Sequence, residues 1–87
     1  MKQLAQEFTG IGEVRGFKFT QLRKTNKAFL YEVKTGDQIH YEVFKRVVNK
    51  RFACESYPKS KAFGISAFSI MDIGKALKKF NELNSFD

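Results

Sequence analysis

The chain has 87 residues, with 16 Lys and Arg against nine Asp and Glu, ten Phe and three Tyr, no Trp, one His and one Cys. That length supports one domain, and the formal charge of +7 favours anionic partners, since a field of one sign raises the encounter rate with nucleic acid, anionic lipid or an acidic protein. Composition excludes more on the chemical side: Cys54 is alone and can neither close a disulfide within the chain nor join a zinc set, and no stretch approaches the roughly 18 apolar residues of a membrane span.

The opening MKQLAQEFTG lacks the apolar run of a secretion signal, so a cytoplasmic protein with no cofactor and no membrane association is expected. Ten Phe offset the small size of the domain, because each buried aromatic ring removes roughly 150 to 250 Å² from water.

In residues 1–8, Leu4 and Phe8 stand one helical turn apart with Ala5 beside them, which suits a short N-terminal helix or an extended arm. Gly10, Gly12 and Gly16 follow, and glycine at that density marks a loop. Their spacing is neither the dinucleotide nor the Walker pattern and it precedes a strand, so a flexible loop is the reading. Residues 1–13 are thus helix or arm plus glycine-rich loop.

Between Arg15 and Arg23, Phe17 and Phe19 alternate with Lys18 and Thr20, the period of a half-buried strand. A second strand runs from Lys27 to Thr35, with Phe29, Tyr31 and Val33 on one face and Ala28, Leu30, Glu32 and Lys34 on the other. In a third, Ile39, Tyr41 and Val43 alternate with His40, Glu42 and Phe44. Parity across antiparallel strands argues for three-residue turns at Lys24-Thr25-Asn26 and Thr35-Gly36-Asp37. Tyr31 would then oppose Phe19 and Tyr41, Val33 would oppose Phe17 and Ile39, and one face would become an aromatic row.

From Val47 to Lys61 the alternation dissolves. Counting from Lys45, six basic residues meet one acid, Glu55, and residues 47–61 read as a long basic loop. Tyr41, Phe44, Val48 and Phe52 also fall at helical spacing, so a helix here is the alternative. Phe63 to Ile70 is strand-like again. A helix over 70–84 follows, opened by a capping box Ser69-Ile70-Met71-Asp72 and carrying Ile73, Ala76, Leu77, Phe80 and Leu83 as one apolar stripe. The expected fold is α+β: an antiparallel three- to four-stranded sheet over residues 14–70, its aromatic face covered by the C-terminal amphipathic helix.

Nothing in this pattern builds a catalytic site. His40 has no nucleophile placed beside it by spacing and reads as a solvated sheet residue, while Cys54 reads as an unreactive half-buried thiol. The basic residues do cluster. Arg15, Lys18, Arg23, Lys24 and Lys27 have no acid between them, and Lys45, Arg46, Lys50, Arg51, Lys59 and Lys61 form a second group. Two such patches framing a sheet suit a phosphate backbone, because neutralised phosphates release counterions. The outer face would carry Leu22, Leu30 and Phe44 among Lys18, Lys34 and Arg46, with Phe44 as the ring on which a base stacks. The candidate site is therefore Arg15, Lys18, Arg23, Lys24, Lys27, Phe44, Lys45, Arg46, Lys50 and Arg51. Nucleic acid, DNA ahead of RNA, is the expected partner, and a protein partner or a second copy of the chain is the alternative.

The order Asn26-Lys27-x-Phe29-x-Tyr31-x-Val33, Tyr41-x-Val43-Phe44-x-Arg46, then Ala67-Phe68-Ser69 leading to Ala76-Leu77-Lys78-Lys79-Phe80 resembles WGR domains, which are DNA-associated modules. The ending from Phe68 to Phe80 is also similar to three-stranded-sheet DNA-binding domains of the AP2 and integrase-arm type. Both likenesses imply a sheet backed by a helix and association with DNA. The Trp-Gly-Arg signature is replaced by Val47-Val48-Asn49, so the DNA-contacting role of that motif does not carry over.

Overall fold

Period-two alternation of large apolar side chains builds a five-stranded antiparallel sheet, seen in a computed structural model that describes residues 2–10 and 15–85. Its strands are β1 (Glu7–Thr9), β2 (Lys18–Lys24), β3 (Ala28–Thr35), β4 (Gln38–Lys45) and, after a two-stranded hairpin of β5 (Val47–Asn49) and β6 (Cys54–Ser56), β7 (Ala67–Ile70). A 3-10 turn, Ser60–Ala62, precedes β7, and the helix α1 (Ile73–Ser85) closes the order. The spatial order in the main sheet is β1-β2-β3-β4-β7. The α+β class with a C-terminal helix on the sheet is therefore as expected, with more strands.

The register differs from the parity argument at both turns. The β3–β4 turn has two residues, Gly36 and Asp37, because Thr35 pairs with Gln38. Positive φ (+65°) falls on Gly36, the pattern of a II′ turn whose twist matches that of the strands. Tyr31 consequently opposes Glu42, and Val33 opposes His40. Between β2 and β3 a register shift between Gln21 and Arg23 places Phe19 opposite Val33 and Gln21 opposite Tyr31. One residue of slip moves every side chain of a strand to the other face, so Phe44 joins the aromatic side and Tyr41 leaves it.

Two cores result, one on each face of the sheet. Phe19, Phe29, Tyr31, Val33, Phe44 and Ala67 form the aromatic core, and it is covered by Leu4, Phe8, Phe17, Tyr57, Ala62 and Phe63 rather than by the helix. Phe8 stacks on Phe19 with ring centroids 4.6 Å apart, and Tyr31 stacks on Phe44 at 5.7 Å. The helix covers the opposite face, where Ala76, Phe80 and Leu83 meet Ala28, Leu30 and Val43. Asp72, not Ser69, is its N-cap: Oδ2 accepts from the Lys75 N–H at 2.9 Å, which satisfies one of the donors a helix start leaves open.

Two further expectations are corrected. Of the two N-terminal readings, residues 2–8 take the extended arm and not the helix. So short a helix has too few internal bonds to stand alone, and its backbone groups are used elsewhere: Lys2 N–H donates to Ala53 O, Lys2 O accepts from Glu55 N–H, and Ala5 O accepts from the Tyr31 hydroxyl. Glu7–Thr9 then pairs with β2. The stretch 47–61 is not a long loop either, because Val47 pairs with Ser56, Val48 with Glu55 and Asn49 with Cys54.

A candidate nucleic-acid interface at one end of the sheet

The first basic group is divided by the geometry of its own strand. Lys18 and Lys24 stand at opposite ends of β2, about 20 Å apart at the usual strand rise. Arg15 belongs with Lys18 at one end; Arg23, Lys24 and Lys27 belong to the other. At that other end the Arg46 N–H donates to Lys27 O at 2.8 Å and Lys45 lies opposite Ala28, so the second basic group joins them. Five of the ten candidate residues, Arg23, Lys24, Lys27, Lys45 and Arg46, thus gather where β2 ends, β3 begins and β4 ends, with Lys50 and Arg51 added by the β5–β6 turn.

Not all of these cations face outward. Glu55, on β6, is buried at 5 % exposure, and its carboxylate is held by Lys24 Nζ at 3.1 Å, by the Arg46 guanidinium, and by the Leu4 N–H at 2.8 Å. Burial pushes the Glu55 carboxyl up, but the Arg46 hydrogen bond, the Leu4 N–H and Lys24 outweigh it and hold the carboxyl below its ordinary range. Lys24 also lies 5.5 Å from the centroid of Phe29. Lys24 and Arg46 therefore neutralise a buried acid. Lys27 reaches the helix end, donating to Asn84 O at 3.3 Å.

Phe44 is fully buried (0 % exposed) among Phe29, Tyr31 and Tyr57. A base cannot stack on it without opening the core. The expectation that it forms a surface platform is corrected by the same register slip that turned β4 over.

Beside Lys45 lies an open cleft of about 450 Å³ lined by Val47 and Asn49 of β5, Ser56 of β6, and Tyr57, Pro58, Lys59, Lys61, Ala62 and Ser66 of the following segment. Its lining is mostly apolar and includes three lysines, Lys45, Lys59 and Lys61. Tyr57 joins this cleft to the core: its hydroxyl donates to Glu42, which also contacts His40 Nε2 at 3.1 Å. Burial raises the Tyr57 phenol well above its usual value, and the Glu42 carboxylate raises it further.

The hairpin that walls the cleft ends in the exposed turn Lys50-Arg51-Phe52-Ala53. Asn49 Oδ1 accepts from the N–H groups of Arg51 (3.1 Å) and Phe52 (3.3 Å), which fixes the turn, and Ala53 completes it at φ +48°. The Arg51 guanidinium sits 5.3 Å from the Phe52 ring centroid. Lys50, Arg51, Lys59 and Lys61 form no ion pair among the described residues.

Sequence reasoning missed Glu55, Tyr57, Asn49 and Phe52 as organising residues. Glu55 alone carried a signal, as the one acid in the run from Lys45 to Lys61. Among the described residues no His, Cys, Asp or Glu cluster could hold a metal ion, and no helix is long and apolar enough to cross a membrane. Comparison of the chain with protein-family models, with curated proteins and with solved structures gives no match.

Proposed function

We propose that this chain is a small non-catalytic binding module of the cytoplasm that holds nucleic acid, DNA ahead of RNA, at the basic end of its sheet. One observation carries the reading: Lys45, Lys59 and Lys61 line a mostly apolar cleft, next to a hairpin that presents Lys50 and Arg51. Lysines in the lining suit phosphates, and its apolar part suits the less polar sugar and base. Lys24 and Arg46, part-exposed themselves, keep β6 against the sheet by pairing with the buried Glu55.

Neutralising about four phosphates gives an affinity that falls roughly 100-fold between 50 and 200 mM salt. Fluorescence anisotropy with labelled DNA at the two concentrations measures this. The pair Lys59→Glu and Lys61→Glu is expected to abolish most of the binding, whereas Lys75→Glu with Lys78→Glu, on the helix, leaves it within about twofold. Salt-insensitive binding, or equal loss from both pairs, refutes the assignment.

A second reading is self-association. The sheet ends at β7, with Ile65 (79 % exposed) and Met71 (70 % exposed) on either side of it in sequence; the chain's own Phe63 bridges the edge at Ala67, and the rest of an edge strand is a template for pairing with another chain. A mass that rises with concentration in sedimentation, and is returned to the monomer by Ile65→Lys, supports it.

A further inference from the structure

We propose that Phe52, at the tip of the β5–β6 hairpin, stacks on an unpaired base, so that the partner held at this end of the sheet is single-stranded nucleic acid. This rests on the nucleic-acid reading above and names its substrate class. Phe52 is 67 % exposed, whereas the rings of the aromatic core are buried. One side of it is approached by the Arg51 guanidinium, 5.3 Å from the centroid. A planar base laid on the ring brings its phosphates close to Lys50 and Arg51, so one nucleotide satisfies both the apolar and the charged part of the tip.

The tip is preorganised for that contact. Asn49 Oδ1 holds the Arg51 and Phe52 N–H groups, and the strand that leaves the turn is pinned by Lys2, which donates to Ala53 O and accepts from Glu55 N–H, both at 2.9 Å. A group already fixed loses less freedom on binding. An unpaired base offers its face freely, while a duplex must be unstacked first, at a few kcal/mol per step. A membrane surface fits less well, because shallow insertion needs a broad apolar face and the neighbours of Phe52 in this turn are Lys50, Arg51 and Ala53.

The test is anisotropy with a labelled single-stranded oligothymidine and with its oligoadenosine duplex, using the full chain as wild type and as Phe52→Ala, Phe52→Leu and Phe52→Tyr. The expected result is that Ala and Leu weaken single-strand binding about 5- to 150-fold, that Tyr stays within twofold, and that duplex binding by all variants is unchanged. Retention of affinity by Leu overturns stacking, as does equal loss on duplex. If the wild type binds DNA with the salt dependence given above and Phe52→Ala binds as well, stacking fails and the basic site stands. If the wild type binds neither form, both fail. Sedimentation with phosphatidylglycerol vesicles completes the set: vesicle binding lost in Phe52→Ala, with oligonucleotide binding intact, assigns the tip to lipid and overturns the proposal.

Discussion

Glu55 gives the sharpest test of how this fold is held together, because its replacement and that of its partner should differ in a definite direction. Its carboxylate side chain is 1 % exposed, while Lys24 and Arg46 keep 27 % and 26 %. In Glu55→Gln the two cations turn to water and the neutral amide is easier to bury. What is lost is two charge-assisted hydrogen bonds, partly offset by that relief, and about 2 kcal/mol of destabilisation is expected. In Arg46→Met the acid stays buried with Lys24 as its remaining cation, and an under-compensated buried charge costs about 3 to 5 kcal/mol. The double variant should lose less than the sum, because Met then faces a neutral group. Urea unfolding followed by circular dichroism at pH 7 measures all three; with a slope near 1 kcal/mol per molar, typical of small domains, the midpoints fall by about 2 M and by 3 M or more. The folded carboxyl titrates below its reference value of 4.5, so its contribution is complete above that pH and is lost as pH falls through the folded value. Glu55→Gln should flatten that part of the acid profile. A Glu55→Gln variant less stable than Arg46→Met, or as stable as wild type, refutes the reasoning.

Other perturbations follow from the same geometry. Phe44→Ala, which empties a fully buried site, should cost about 3 to 5 kcal/mol in the same unfolding assay, yet leave the DNA affinity of the folded fraction unchanged. Tyr31 and Tyr57 are both raised from a reference of 10.0 by burial first; the stability tied to their neutral forms is intact below about pH 10 and falls as pH rises beyond it. The double variant Tyr31→Phe with Tyr57→Phe should flatten the alkaline limb of a urea midpoint measured from pH 8 to 11. Asp72→Ala removes the side-chain acceptor at the start of α1 and should cost about 1 kcal/mol, read as a lower thermal midpoint with the fold retained.

The strands β2, β3 and β4 and the helix were legible because alternation and the stripe of Ala76, Leu77, Phe80 and Leu83 are local signals. Register was not. The choice between a two- and a three-residue turn at Gly36 decides which side of β4 is aromatic, and both turns are compatible with the same residues. That single step moved Phe44 from the surface to the core and brought Glu42 and His40 over with it. The hairpin at Val47 was hidden for a different reason: its stabilising contact, Glu55 with Lys24 and Arg46, joins residues 31 and 9 positions apart and leaves no periodic trace. The basic character of this end was visible, but which cations serve the interior depended on the buried acid.

The backbone bridge between Lys2 and Cys54 also sets an order of events during synthesis. Lys2 and Leu4 are synthesised before their partners Ala53 and Glu55, and the Leu4 to Glu55 bond spans 51 positions. Closing so long a loop gains nothing until its far end exists. The arm must therefore wait while β2, β3 and β4 pair by short turns, and it docks over the aromatic core as one of the later steps. An N-terminal fusion would sit beside the hairpin and burden that late step, whereas the short-range pairing of the central strands would proceed unaltered.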